Sequence, residues 1–419
     1  MGSTLFRNPI VITQNENREV LRADVLVEGN RILETGKHLE GDSVIDADSM
    51  ILMPGLLNTH THVAMTHMRG SLDDIILSQF LEKTFKLDGE RSDNGIYNSS
   101  VLGMCEMIDS GVTSFLDLYY SENIVERAVK DTGMRGFLSW VTLDREYTTQ
   151  KGDPVDNARR FLGSDATTDL VDRSVGVQGV YVAGEETYIR AQELARTEDT
   201  IVHTHLSETR EEVYNHLKKT GKRPVEYLDS IGFLDSNVIA AHSSWVTLNE
   251  MRILSRRGVK VSWNPVSNAK LATGGICPVP EMLGENVTVS IGTDSSGSNN
   301  SLNVLESMKY GAITIKNSRW DASVLNAQKI LDFATIDAAR SLRRSDLGSV
   351  QAGKTADLVL IDCSKPNLIG TDESTAVSNV VYSANPSNVH TVMVNGRILK
   401  SDHRLLKSFD DFRKGDSLR

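Results

Sequence analysis

The sequence predicts an α/β protein, a (β/α)8 barrel joined to a small composite β-sandwich built from both chain ends. Three observations carry that prediction. Both flanks hold short period-two strands, while the middle alternates strands with helices. Eight apolar segments fall in that middle region, the number a closed barrel needs. Several of them finish in histidine or acidic residues, and in a barrel all C-terminal strand ends open on one mouth.

In the N-terminal flank, IVIT, VLRADVLVEGNRI and SVIDADSMILM alternate apolar and polar residues around turns such as Glu28-Gly29-Asn30. TADLVLID, VSNVVYSA and HTVMVNGRIL return to that style near the C-terminus. Each flank is too small to hold a core alone. Residues 1–54 and 345–419 are therefore expected to form one sandwich, and residues 55–344 the barrel. The expected barrel strands are GLLNTH (55–60), VTSFLD (112–117), RGFLSWV (135–141) and SVGVQG (174–179), then TIVHTH (200–205), NVIAAH (237–242), VKVSWN (259–264) and VTVSIGTD (287–294). Helical segments such as NSSVLGMCEMIDS, TYIRAQELARTED and SLNVLESMKYGAI lie between them.

Composition narrows the function. A net charge of −11 argues against nucleic acid or an anionic membrane as the main partner but says little about the small-molecule substrate, because a local site can differ in sign from the whole. Cys105, Cys277 and Cys363 are far apart with no CxxC, which fits a reducing compartment and excludes a cysteine metal cluster. The first residues lack a charged segment followed by a long apolar one, and no window approaches the length of a membrane span. The expected setting is cytoplasmic. No GxGxxG, P-loop or GxSxG string supports nucleotide binding or serine hydrolysis.

The strand ends carry the chemistry. Alternate residues of a strand share a face, so His60-Thr61-His62 aims two imidazoles into one space. The fifth strand ends in His203-Thr204-His205 with Glu208 three residues on, the sixth in His242, and the eighth in Asp294. Three imidazoles and a carboxylate suit Zn²⁺ or Fe²⁺ with positions left for water and substrate.

The strings PGLLNTHTHVAMTHMRG, EMIDSGVTSFLD, HTHLSET, AAHSSW, NPVSNAKLATGG, IGTDSSGSNNSL, LGSVQAGKTADLVLID and VMVNGRIL span roughly residues 50–400. In them the chain resembles the amidohydrolase superfamily, in its cytosine-deaminase-like and chlorohydrolase-like branch, closest to the methylthioadenosine/S-adenosylhomocysteine deaminases. The resemblance implies a metal-dependent (β/α)8 (TIM) barrel plus a composite β-sandwich, and a homo-oligomer. It implies His60, His62, His205 and Asp294 as ligands of one divalent cation, zinc first and iron as the alternative. Glu208, His242 and Asp294 take the catalytic roles: Glu208 moves a proton to a ring nitrogen, His242 bonds to the reacting water or substrate, and Asp294 accepts a proton from the water. His203, one layer deeper, is expected to be a hydrogen-bonded barrel histidine. The carboxylated lysine of the binuclear branch has no counterpart in Ser174-Val175-Gly176-Val177-Gln178, which points to a single metal.

Departures fall on the substrate side. Gln178 stands where the nucleoside deaminases place a histidine, and Trp263 precedes an Asn-Pro where histidine is common. Trp140 occupies a position often given to arginine, and FKLDGERS offers Asp88 or Glu90 to ribose hydroxyls. Asp88, Trp140, Gln178 and Glu208 are thus the candidate substrate contacts, with core packing as the competing account of both tryptophans. The implied activity is hydrolytic deamination of an amino-substituted N-heteroaromatic ring, foremost an adenosine-derived nucleoside, then another aminopurine or a pterin. A triazine-type chlorohydrolase is the rival enzyme, and an inactive binding barrel the rival from another class. Retention of Glu208 and His242 favours an amine leaving group, because ammonia leaves only with a delivered proton.

Overall fold

The computed structural model describes residues 2–75, 77–165 and 168–415. Eight strands form one sheet in chain order: β1 (Leu56–Thr61), β2 (Val112–Tyr119), β3 (Arg135–Thr142), β4 (Val171–Val177), β5 (Val202–Leu206), β6 (Val238–His242), β7 (Lys260–Trp263) and β8 (Thr288–Ile291). Each neighbouring pair is parallel. Helices outside and side chains inside bury both faces, so the strands read as apolar runs rather than alternations. The barrel is the expected one.

Its seam differs from its other joints. No ladder joins β8 to β1 among the described residues. Thr59 Oγ1 donates to Ile291 O at 2.9 Å, and the amides of Thr293 and Asp294 donate to His60 O at 3.2 and 2.9 Å. The chain therefore leaves β8 at Ile291 and turns across the seam, so the expected extension of this strand to Asp294 is not found. A Cβ at Gly292 would lie 2.8 Å from His60 N, which leaves room only for glycine. Likewise β4 stops at Val177, short of Gln178 and Gly179.

The flanks contribute two more sheets. One has four strands, all from residues 3–46; the other has seven and combines both chain ends, with Leu358–Asp362 between Met50–Pro54 and Val389–Val394. Alternation gives the seven-stranded sheet two apolar faces. Val11, Leu52, Leu358, Leu360 and Met393 pack with Phe6, Val25 and Ile32 of the smaller sheet. Their neighbours Ile10, Ile51, Met53, Val359, Ile361 and Val392 join the barrel core instead. Two buried cations fasten the units. Arg135, at the start of β3, pairs with Asp357 through two bonds of 2.9 and 3.1 Å, and Lys400 donates to Asp109 at 2.7 Å. VSNVVYSA, read above as strand-like, lies mostly in the helix Ala376–Tyr382; burial of Ala376, Val380 and Val381 in that helix outweighs the β propensity of its valines. Among the described residues, no helix is long and apolar enough to cross a membrane.

Candidate metal centre and active site

The strand ends converge as expected. His60 is fully buried, and the ring centroids of His62, His203, His205 and His242 lie 4.9, 4.9, 5.0 and 5.2 Å from its own. A bulge in β1 between Asn58 and Thr61 re-aims the chain just before His62. Asp294 Oδ1 sits 3.7 Å from His60 Nε2 and 3.5 Å from His62 Nε2. Asp294 and His242 both adopt left-handed backbone, with φ of 64° and 70°, where the chain turns out of the barrel.

Hydrogen bonds decide which nitrogen of each ring is free. A carbonyl oxygen only accepts, so a ring nitrogen bonded to one must carry the proton. His62 Nδ1 lies 2.6 Å from Leu118 O and His205 Nδ1 2.6 Å from Gln178 O, which leaves both Nε2 atoms as lone pairs. These two Nε2 atoms face each other at 3.3 Å. His203 Nδ1 is 3.4 Å from Asp117 O, so its Nε2 receives His60 Nδ1–H at 2.9 Å. His60 Nε2 is then a lone pair as well, buried and without a partner. Three lone pairs and a carboxylate around one point, with no proton to reconcile them, fit a cation. His203 is the relay that orients His60.

His242 is set the other way. Its Nδ1 accepts from Asn268 Nδ2 at 2.9 Å and lies 3.3 Å from Asn264 Nδ2, so Nε2 carries the hydrogen. That hydrogen points towards the cavity, with Nε2 3.9 Å from Glu208 Oε2. It suits donation to a reacting oxygen better than ligation, although distance alone groups His242 with His60 and His205. Asp294 Oδ2 accepts from Ser267 Oγ at 2.6 Å and Oδ1 from the Ser295 amide at 2.6 Å.

Glu208 borders the cavity with its side chain 15% exposed. Burial, and then the Asp294 carboxylate, push its pKa up to about 8. Burial likewise lowers His60 and His205 well below the usual imidazole range, takes His203 down to about 3, and lowers His242. Behind Glu208 stands Glu212, whose two carboxylate oxygens accept the amides of Ser207 and Glu208 at 2.9 and 2.8 Å. It clamps a turn in which Ser207 has φ of 48°.

Above the site opens a cavity of about 470 Å³. Gln178 lines it and donates Nε2–H to Tyr181 Oη at 3.1 Å. Asp88 also lines it, but its carboxylate receives Tyr119 Oη–H and lies 3.6 Å from Arg91 Nη1. Trp140 is not brought to the cavity. Its face of β3 is opposite Ser139, whose hydroxyl lies 2.8 Å from that of Ser174; its ring rests on Phe161, and Nε1 donates to Gln150 at 2.9 Å. Trp263 is buried, with Phe333 and Gly311 against it, so core packing is its role. Exposed Glu90 lies outside the lining.

Sequence reasoning missed Asn264, Ser267, Asn268, Glu212 and the cavity wall of Phe80, Phe85, Tyr119 and Gln150. The spacing of Asn264, Ser267 and Asn268 around the helix Pro265–Lys270 was a usable signal, since i, i+3 and i+4 share a face.

Residues 51–399 match the amidohydrolase family. The chain is 34% identical to a 5′-deoxyadenosine deaminase of Methanobrevibacter smithii, over 96% of this chain and 94% of that protein. It is 36% identical to a 5-methylthioadenosine/S-adenosylhomocysteine deaminase of Thermococcus onnurineus, covering 96% and 95%. A zinc-bound adenosine deaminase from Xanthomonas campestris superposes with a TM-score of 0.91 at 27% identity, over 97% of this chain and 94% of that one. By sequence and fold, the chain belongs to the amidohydrolase family.

Proposed function

We propose that this protein is a single-metal hydrolase that deaminates the amino-substituted ring of an adenine nucleoside and releases ammonia. The opposed tautomers carry the reading: His60, His62 and His205 turn lone pairs to one point, while His242 turns a hydrogen to the adjoining cavity. His60, His62, His205 and Asp294 are the proposed ligands, and zinc is the proposed metal, supported by the zinc-bound relative. The names of the nucleoside deaminase relatives support the substrate class. When bound, the cation supplies a water acidified towards neutral pH and an electrophile for developing charge.

The chain's own groups complete the reaction. Asp294 accepts the proton of the attacking water, with Ser267 and the Ser295 amide fixing its carboxylate. His242 Nε2–H donates to the oxygen joining the ring carbon, stabilising charge there. Glu208, protonated near neutrality, gives its proton to the ring nitrogen beside that carbon. Asp294 passes the water's proton to the amine, which departs as ammonia, and the proton left on the new hydroxyl goes to the Glu208 carboxylate, leaving a carbonyl and both acids restored. Such proton delivery is worth about 10²–10⁴-fold in rate. Three buried free cysteines support the cytoplasmic setting. Metal analysis combined with an ammonia-release screen over adenosine derivatives, aminopurines, pterins and triazines tests the proposal. Chloride or amide-hydrolysis products without ammonia overturn it.

A further inference from the structure

We infer, on the reading that Asp294 is a ligand of the metal, that Asn58 is a positioning residue: its carboxamide clasps Thr293 across the barrel seam and so sets Asp294 against His60 and His62. The two sides of the centre come from opposite ends of the barrel, His60 and His62 from β1 and its exit, Asp294 from the turn after β8. No strand ladder joins those ends among the described residues. Individual bonds across the joint must therefore fix Asp294 relative to the rings.

Asn58 is fully buried, two residues before His60. Its side chain meets Thr293 at two points: Oδ1 accepts the Thr293 amide, which also reaches His60 O, at 3.0 Å, and Nδ2 donates to Thr293 Oγ1 at 2.7 Å. A backbone N–H only donates, so the atom facing it is the carboxamide oxygen. Thr293 Oγ1 in turn donates to Asp294 O at 3.0 Å, where Thr61 Oγ1 joins it at 3.1 Å. Thr293 O accepts Asn299 Nδ2 at 2.8 Å. Thr293 is thus held through its amide, its hydroxyl and its carbonyl, and the peptide leading into Asp294 has little freedom. Asp294 has φ of 64°, a left-handed backbone that a residue other than glycine keeps only where its surroundings enforce it. Ser267 and the Ser295 amide fix the carboxylate, but neither belongs to β1. Asn58 supplies that tie from the side chain. Its contact needs an acceptor and a donor together; aspartate lacks the donor and leucine lacks both.

Zinc affinity of the purified chain, measured by competition with a chelator, tests the inference in a double-mutant cycle with Asp294. Asn58→Ala is expected to weaken zinc binding about 10–100-fold, the scale of groups that hold a ligand in place. In the Asp294→Ala background three histidines still bind zinc, and the same substitution is expected to change affinity by no more than about twofold, because the ligand it positions is gone. A loss as large there as in the parent overturns the inference and makes Asn58 a purely structural residue of the seam. Unchanged affinity for Asn58→Ala overturns it too. Should Asn58→Ala fail to fold, Thr293→Val takes its place in the cycle with the same expected losses, and Thr293→Ser, which keeps the accepting oxygen, is expected to restore the parental affinity. A serine variant as weak as the valine one overturns the inference. An Asp294→Ala protein that binds zinc as tightly as the parent overturns the ligand reading itself.

Discussion

The two halves of the active-site cavity are built on different principles. The floor consists of strand ends and the turns that leave them, and each ring nitrogen there is assigned a role by a backbone carbonyl, a neighbouring histidine or a buried amide. The wall above it is made of the helix Leu77–Gly89 and the loops around Glu146 and Tyr181, where side chains such as Phe85, Tyr147 and Tyr181 stay partly exposed. A barrel holds catalytic groups rigidly and leaves its loops free to vary. Damage to the floor should therefore cost chemistry, and damage to the wall should change preference.

The largest effect is expected from His62→Ala, which removes a lone pair from the cation-binding point: bound metal by elemental analysis and turnover should vanish together. Full metal content in that variant would break the assignment of the floor. Next, Glu208→Gln should retain the metal while kcat falls about 10²–10⁴-fold. A rate near that of the parent removes Glu208 from proton transfer. Replacing both Asn264 and Asn268 by alanine releases His242 from its tautomer, and the expected loss is about 10–100-fold in kcat with metal unchanged, the scale of outer hydrogen-bond partners. If kcat holds, the tautomer argument fails. The smallest change is expected in the wall, where Phe85→Ala should raise KM roughly threefold to tenfold, about 1 kcal/mol of apolar contact. A matching fall in kcat would show that floor and wall are one unit.

The same division explains what the sequence disclosed. His60, His205 and His242 lie at the ends of their strands, and His62 and Asp294 in the turns that leave theirs, so the shared direction of the strands brings all five to one mouth. The wall has no period. Asp88 is legible as an acid near the cavity, and Arg91 three residues on is a visible partner, but nothing in FKLDGERS announces that Tyr119 of β2 also occupies its carboxylate. Trp140 was a matter of phase: one residue along β3 in either direction faces the interior, and only the observed pairing of Ser139 with Ser174 fixes which. The helix Ala376–Tyr382 shows the converse, a valine-rich segment whose conformation its neighbours decide.

The unladdered seam also sets an order in time. His60 and His62 leave the ribosome early, yet the carboxylate that completes their site arrives only with Asp294, on the far side of the joint where the last strand meets the first. On the proposed ligand set, a nascent chain carries an incomplete site until Asp294 emerges, and firm metal uptake is expected only once the ring shuts. Loading becomes a report of closure: a chain halted before Gly292 holds the three histidines of the proposed ligand set but not its carboxylate.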